Sequence, residues 1–244
     1  MNQKISIVTV CYNASSEIEK TMESVLSQSY ENIEYIIIDG ASTDKTLELV
    51  NSLASKYNSR KVQIFSELDN GIFDAMNKGI KMATGDWINF MNAGDLFYNE
   101  NVIENMFKFE FSENTGVVFG DTYTEKGLFK MKPFIYNPKR FCEMGICHQS
   151  LFVRTVLAKK YLFDLHFKVA ADYNMIHKIY DAGFDFQYCN IPVSIYDMYG
   201  FSTQNVIRQV DEIAMICNVY HSFWHYRVRV AKQIKLILKK ILKK

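Results

Sequence analysis

Residues 67–95, ELDNGIFDAMNKGIKMATGDWINFMNAGD, constrain the fold of this 244-residue chain more than any other stretch. Apolar residues recur at three- and four-residue steps over Ile72–Met82, which predicts an amphipathic helix, and Gly85 follows as a stop signal. Trp87–Met91 is a short apolar run typical of a buried strand. This predicted strand leads directly into an acidic turn, Asn92–Asp95.

Asp95 ends that turn at the carboxyl end of the predicted strand, where open α/β sheets bind their ligands. No Lys or Arg lies within several residues of Asp95, so we expect a hard divalent cation as the partner of its carboxylate. The alternative is a purely structural turn, since Asn, Gly and Asp are common turn residues. The ordered succession of loop, helix, strand and turn favours the ligand site.

Three apolar runs precede this stretch and alternate with helical patterns: Ile5–Val10, Ile33–Ile38 and Val62–Phe65. Alternation of strand and helix over the first 90 or so residues predicts an α/β fold with a doubly wound, mostly parallel sheet flanked by helices. Because parallel strands share a direction, the loops after the first two strands should open at the same edge as the Asn92–Asp95 turn.

Beyond residue 100 the pattern is less regular. It predicts helices over Val102–Phe109 and Ala170–Gly183 and strands over Gly116–Gly120 and Leu151–Val153. It also predicts a loop over Lys126–Phe141 and a turn at Gly200–Ser202. With no internal repeat or linker, we expect residues 1–212 to form a single domain and 213–244 a basic helical tail.

Charge is distributed unevenly along the chain. Residues 1–212 hold 20 Lys and Arg against 27 acidic residues, whereas 213–244 hold eight Lys and Arg and no acid. The acidic body argues against a nucleic-acid partner. Over 226–244 the tail places apolar residues on one helical face (Val230, Ile234, Ile237, Leu238, Ile241) and lysines on the other (Lys232, Lys235, Lys239, Lys243).

Such a basic amphipathic helix suits the surface of an anionic membrane. The alternative is a helix packed on the body with a solvated basic face. The five cysteines include no CxxC pair, which argues against a zinc site and a disulfide framework. There is no signal-peptide pattern and no apolar run of 18 residues. We therefore expect a cytoplasmic protein, peripheral on the inner face of the plasma membrane.

Two residues at predicted strand ends suit a nucleotide. Asp39 could accept hydrogen bonds from a base or ribose, although an Asp in DGAST is equally suited to capping a turn. Tyr12 could offer a flat face to a base. With a metal at Asp95, the ligand would be a nucleoside diphosphate. The chain has neither GxGxxG after its first strand nor GxxxxGK[ST], which disfavours a dinucleotide cofactor and a P-loop.

Asp172 is the candidate general base, because it opens a predicted helix after a small apolar pair. The positive helix end would lower its pKa, so burial would have to compensate. Its alternative role is an N-cap. His148 and Gln149 precede a predicted strand, and a lone His is commonly structural. His166, His177, His221 and His225 show no metal-ligand spacing.

Five blocks in this order and spacing resemble the family 2 glycosyltransferases over about residues 1–205: Tyr12–Asn13, Ile36–Asp44, Ala75–Asp95, His148–Arg154 and Ala170–Met175. The resemblance implies a GT-A fold and an inverting transfer of a sugar from a nucleotide-diphosphate sugar, usually with Mg²⁺ or Mn²⁺. It resembles in particular a subgroup with NAGD turns that builds capsules, exopolysaccharides and O-antigens.

The resemblance also implies roles for individual residues. The donor would contact Tyr12, Asp39, Asp74, Asn77, Asn92 and Asp95, with the metal on Asp95. Asp172 would take the proton from the acceptor hydroxyl, and His148 and Gln149 would line the acceptor side. Gly94 departs from the family pattern, because it stands where an acid is expected to touch the ribose.

Together these features predict an inverting glycosyltransferase of the hexosyltransferase type, acting on a lipid-linked or growing polysaccharide acceptor, with UDP as the commonest carrier in the family. Two alternatives remain at this point. A nucleotidyltransferase shares the acid at a strand end but would need a phosphate-binding first loop. A non-catalytic nucleotide-sugar-binding subunit would be consistent with the altered turn.

Overall fold

A computed structural model describes residues 3–57, 60–131, 147–196 and 204–241. Within these ranges one nine-stranded sheet has the order β3-β2-β1-β4-β8-β6-β9-β5, with β7 paired to β6. The strands are β1 (Ile5–Cys11), β2 (Ile33–Asp39), β3 (Val62–Ser66), β4 (Trp87–Phe90), β5 (Leu96–Phe97), β6 (Thr115–Thr124), β7 (Gly127–Phe129), β8 (Leu151–Arg154) and β9 (Asp185–Ile195).

The helices lie on both faces of this sheet. They are α1 (Ile18–Leu26), α2 (Thr46–Lys56), α3 (Ile72–Met82), α4 (Val102–Met106), α5 (Thr155–Tyr161), α6 (Ala171–Asp181), α7 (Val206–Ile216) and α8 (Phe223–Ile241), with a short 3-10 turn at His148–Ser150. Residue 212, where we expected the first domain to end, lies inside α7.

Alternation along the central strands separates two apolar cores. Ile5 and Ile7 of β1 pack in the core that contains α1, α2 and α4. Val8 and Val10 point to the opposite core, with α3, α5 and α6. Gly79 lets α3 approach β1 closely, because a Cβ there would lie 2.4 Å from a methyl of Val8. The continuous apolar run in β1 therefore reflects a strand covered on both faces.

Strand direction changes across the sheet. The four strands β3-β2-β1-β4 are parallel, as the alternating pattern predicts. β8 is antiparallel to both β4 and β6, whereas β6 and β9 are parallel. The parallel half positions the loops after β1, β2 and β4 at one edge of the sheet.

The pattern is least reliable after residue 115. β9 was not predicted, because Pro192 interrupts it, and its pairing with β6 shifts register next to Pro192. The predicted loop over Lys126–Phe141 is wrong at Gly127–Phe129, which form β7. Its residues from 132 onward, and the predicted turn at Gly200–Ser202, lie outside the described residues.

Candidate active site

A cavity of about 550 Å³ opens at the edge where β1 and β4 end. The register of the sheet places Cys11 at the end of β1 opposite Asp39 at the end of β2. The lining comes from four places in the sequence: Val10–Tyr12 and Ala14, Asp69–Ala75, Asn92–Ala93, and Leu165 with Phe167–Lys168. The loops after β1 and β4 therefore meet here, as the sequence predicts.

Tyr12 and Asp69 share one wall of this cavity. The Tyr12 ring is 64% exposed, which leaves it available for stacking. A Cβ on Gly40 would lie 2.6 Å from Asp69 Oδ2 and 3.4 Å from the Tyr12 ring. Gly40 thus allows these two side chains to approach each other. Sequence reasoning missed Asp69, because an Asp before Asn-Gly is a common turn signal.

Asp39 is fully buried, and its carboxylate accepts hydrogen bonds from its own turn and from the end of β3. Ser42 donates from its backbone N–H at 3.1 Å and from its hydroxyl at 2.5 Å, and Ser66 donates its hydroxyl at 2.6 Å. Burial and the nearby Asp39 carboxylate raise the pKa of Cys11 to about 12, so this thiol stays neutral. The turn-capping role of Asp39 is present, and its contact with a base stays a prediction.

Asp74 and Asn77 of α3 have different surroundings. Asp74 lines the cavity, and its carboxylate accepts the backbone N–H of Asn70 at 2.9 Å. Asn77 is buried. Its side-chain N–H donates to the Phe163 carbonyl, and its side-chain oxygen accepts the Phe163 N–H, each at 2.8 Å. Asn77 thus joins α3 to the segment after α5, and its donor contact stays a prediction.

The acidic turn depends on glycine. The backbone N–H of Asp95 donates to the carbonyl of Asn92 at 2.9 Å, and Gly94 has φ +100°. Residues that carry a side chain rarely adopt this backbone conformation, whereas glycine adopts it without strain. Gly94 also donates its N–H to Thr21 Oγ1 at 3.0 Å. The backbone of this turn therefore favours glycine at position 94, where the resemblance led us to expect an acid.

Gln149 contacts the acid of this turn directly. Its side-chain amide donates to Asp95 Oδ2 at 3.0 Å, and both residues are buried. Asn89 of β4 holds the backbone beside Gln149 by donating to the carbonyls of Gln149 and Leu151 at 3.0 and 2.8 Å. The site thus brings together Asp95 and Gln149, which the resemblance assigned to opposite sides of it.

His148 connects the same turn to α6. Its Nδ1 lies 3.5 Å from Asp172 Oδ2, and its Nε2 lies 3.3 Å from the Asn92 side-chain nitrogen. Burial lowers the pKa of His148, but the pairing with Asp172 and the charges of Asp172 and Asp95 outweigh burial and raise that pKa above its ordinary value. The proximity of His148 to Asp172 favours a functional role for His148 over a purely structural one.

Asp172 lies in the first turn of α6, and its side chain is 18% exposed. Ala170 is the N-cap of this helix, so Asp172 does not have the capping role that its position first suggested. Its Oδ1 accepts the backbone N–H of Tyr173 at 2.7 Å. One carboxylate oxygen therefore faces its own helix and the other faces His148.

The oxygens of the acidic turn suit a hard divalent cation. Asp95 supplies a carboxylate, and Asn92 Oδ1 is buried without a hydrogen-bond partner. The part of the chain that the structure describes contains no cluster of three or more His, Cys, Asp or Glu residues able to hold a metal. Mg²⁺ is commonly held by one or two protein carboxylates together with substrate phosphates, and Asp95 could supply such a carboxylate.

Comparison with known proteins identifies the family. Residues 6–169 match the sequence profile described as Glycosyl transferase family 2. This chain belongs to that family. It is therefore a glycosyltransferase, and the resemblance drawn from its motifs is confirmed.

Two relatives are informative. The chain is 26% identical over 205 residues to the PGL/p-HBAD biosynthesis glycosyltransferase of Mycobacterium bovis, covering 83% of this chain and 80% of that one. It is 34% identical over 158 residues to the Escherichia coli UDP-Glc:alpha-D-GlcNAc-diphosphoundecaprenol beta-1,3-glucosyltransferase WfaP, covering 62% and 61% of the two chains.

Solved structures show the fold. The Pyrobaculum calidifontis mannosyltransferase PcManGT, in complex with GDP-Man and Mn²⁺, superposes with a TM-score of 0.70 at 18% identity, over 88% of this chain and 63% of that one. Staphylococcus aureus TarS 1–349, in complex with UDP-GlcNAc, superposes with a TM-score of 0.68 at 17% identity, over 91% and 69%. The fold is GT-A, as the resemblance implied.

Proposed function

We propose that this chain is an inverting glycosyltransferase that moves a sugar from a nucleotide-diphosphate sugar to a hydroxyl of a lipid-linked or polysaccharide acceptor. One arrangement supports this most strongly. The cavity has the Tyr12 face in its wall and the Asn92–Asp95 turn beside it, and His148 connects Asn92 to Asp172. A cavity that suits a nucleotide thus adjoins a turn that suits a metal, and His148 links that turn to the carboxylate of Asp172.

The donor is held by residues of the cavity. Tyr12 stacks on the base, and Asp69 and Asp74 offer acceptors to the nucleoside and sugar hydroxyls. Asp95, with Asn92 Oδ1, would hold Mg²⁺ or Mn²⁺, and a metal bound there would supply positive charge for the diphosphate leaving group. We favour a UDP-sugar, because WfaP uses UDP-Glc and TarS was solved with UDP-GlcNAc.

Asp172 acts as general base in this proposal. Its carboxylate accepts the proton of the acceptor hydroxyl while that oxygen forms a bond to the anomeric carbon. The bond from this carbon to the diphosphate breaks on the opposite face, and the configuration inverts. General base catalysis of this kind contributes roughly 10²–10⁴-fold. His148 orients the carboxylate through its contact with Asp172 Oδ2.

The proposed place of action is the cytoplasmic membrane surface, and α8 supports it. Its large apolar residues Val230, Ile234 and Ile237 are exposed, whereas His225 and Arg229 face α7 and contact Asp211. These apolar residues are therefore not packed on the body of the protein. None of the helices in the described ranges combines the length and apolar composition needed to cross a bilayer.

The test is release of nucleotide from a panel of UDP- and GDP-sugars with Mn²⁺, with and without a polyprenyl-diphosphate-linked acceptor. We expect one donor to be consumed with release of a nucleoside diphosphate, and Asp95→Ala to abolish that release. Glu110→Ala, which removes an exposed acid after α4, is the matched control. Binding of a donor without turnover, even with the acceptor present, would instead indicate a binding subunit, and pyrophosphate release a nucleotidyltransferase.

A further inference from the structure

α7 carries a buried carboxylate that faces the chain just before α6. Glu212 is only 6% exposed. One of its oxygens accepts the backbone N–H of Lys168 at 3.0 Å, and the other accepts those of Val169 and Ala170 at 2.8 and 2.9 Å. Three consecutive amides therefore converge on a single side chain from a distant part of the sequence.

The hydrogen bonds between Glu212 and these three amides are stronger than hydrogen bonds between neutral groups. Hydrogen bonds to an ionised carboxylate are roughly twice as strong as those between neutral groups. Burial raises the pKa of Glu212, but the N–H of Lys168, the Arg208 guanidinium and the other two amides outweigh burial, so the net pKa is lowered and the carboxylate is ionised. The negative charge also lies at the N-terminus of α6, where the helix dipole favours it.

The segment that Glu212 holds begins with one site residue, and a second site residue follows two positions after its end. Lys168 lines the cavity, and no other Lys or Arg does so within the described part of the chain. Asp172 follows Ala170 by two residues, in the first turn of α6. A displacement of the backbone over 168–170 would therefore move a cavity cation and the general base together.

We propose that Glu212 is a positioning residue, which fixes the backbone of 168–170 and thereby sets the place of Asp172 at the start of α6, opposite His148. This inference rests on the proposed function, since it takes Asp172 as the base. Glu212 acts through other residues and does not itself touch the substrates. Its role requires two acceptor oxygens, because three N–H groups share them.

Glu212→Gln tests this requirement with little change in shape. The substituted amide nitrogen is a donor that faces backbone donors, so at least one of the contacts must be lost. We expect kcat to fall roughly 10- to 100-fold, since small displacements of a catalytic group have effects of this size. The KM for the donor should change less than kcat, because Lys168 is the one cavity residue within the described segment 168–170, whereas Tyr12 and Asp95 lie on other elements.

Two variants in the same helix are controls. Arg208→Gln removes the exposed partner that donates to Glu212 at 2.7 Å but leaves the three amide contacts in place. Val210→Ala truncates a buried neighbour and reports general destabilisation of α7. Both should keep kcat close to that of the wild type when assayed well below their melting temperatures.

Steady-state kinetics are combined with hydrogen exchange of the amides of 168–170. Faster exchange and a lower kcat in Glu212→Gln, with neither change in the controls, would support the inference. A wild-type kcat in Glu212→Gln, or an equal loss of kcat in Val210→Ala, would overturn it. If the wild-type chain itself transfers no sugar from any donor, the proposed function fails instead, and the two failures are thus distinguishable.

Discussion

His148 Nδ1 lies 3.5 Å from Asp172 Oδ2, and the other ring nitrogen of His148 faces Asn92 of the acidic turn. The 3-10 turn before β8 thus joins the start of α6 to the end of β4. Gln149, the residue after His148, donates its side-chain N–H to Asp95 Oδ2. Two adjacent side chains therefore contact both carboxylates on which the proposed reaction depends, and each can be tested separately.

His148→Gln should lower kcat by about 10-fold or more while leaving the KM of the donor nearly unchanged, because Asp172 would lose the group that orients it. Steady-state kinetics against donor and acceptor measure this. His166→Gln, at an exposed histidine in the loop before α6, is the matched control. Equal kinetics for His148→Gln and the wild type would contradict the orienting role.

The raised pKa of His148 makes a second prediction, about stability. The His148–Asp172 pair stabilises the fold fully below the unfolded pKa of about 6.5, and this contribution is lost as the pH rises through the higher folded pKa. The free energy of unfolding of the wild type should therefore fall toward that of His148→Gln above about pH 6.5. Urea unfolding at several pH values, with a chelator present, measures the difference. A difference that does not change with pH would contradict it.

Gln149→Ala should weaken metal binding without abolishing transfer. Residues that hydrogen-bond a metal ligand typically contribute 10–100-fold to metal affinity or activity. We expect the Mn²⁺ concentration for half-maximal rate to rise by roughly 10-fold, with activity restored at higher Mn²⁺. Gln187→Ala, at an exposed glutamine of β9, should behave as the wild type. If the Mn²⁺ titration of Gln149→Ala equals that of the wild type, Gln149 does not support the metal site.

Replacement of Val230, Ile234 and Ile237 by Ser should reduce binding to anionic vesicles by at least about 10-fold, because burial of one large apolar side chain contributes roughly 1.5–3 kcal/mol. Sedimentation with phosphatidylglycerol vesicles, at low and high salt, measures this. The variant keeps all basic residues, so it separates apolar insertion from electrostatic attraction. Equal pelleting of variant and wild type would contradict the membrane proposal.

Glu34 lies near the start of β2, at the edge of the sheet opposite the cavity, and its charge should stabilise the fold. Burial raises its pKa, but hydrogen bonds from Lys4, Ser6 and Thr84 outweigh burial and lower the pKa to about 2. A lowered pKa stabilises the fold above the unfolded value of 4.5, and this contribution is lost as the pH falls toward 2. Glu34→Gln should therefore cost on the order of 2–3 kcal/mol at pH 7 and clearly less at about pH 3, where the pH approaches the folded pKa.

Urea unfolding at pH 7 and at pH 3 measures this loss. Glu113→Gln, at an exposed position, is the control and should change the free energy of unfolding little. An equal loss at both pH values would show that Glu34 contributes through packing and not through its charge.

The sequence predicts the parallel half of the sheet well, because β1, β2 and β4 are apolar runs separated by amphipathic helices. It also predicts that Tyr12 and Asn92 meet, since parallel strands end at one edge. It predicts the antiparallel half poorly. β9 contains Pro192 at a register shift, and such irregular pairing depends on contacts with β6 that no local pattern records.

Side-chain partners were less predictable than strands. The pattern around Glu212 indicates only an amphipathic helix, although its carboxylate binds three distant backbone amides. The approach of His148 to Asp172 likewise depends on how β8 and α6 pack. Motif resemblance assigned roles to His148 and Asp172 without indicating that they touch, because contacts of high sequence separation arise from tertiary packing.

The most direct test of the account is transfer by Asp172→Asn, measured with the donor found in the panel and a lipid-linked acceptor. We predict that transfer falls by at least about 10²-fold, while calorimetry shows donor binding equal to that of the wild type. Asp181→Asn, at an exposed carboxylate at the end of the same helix, should transfer normally. Transfer by Asp172→Asn at a rate close to the wild type would contradict the assignment of Asp172 as the base.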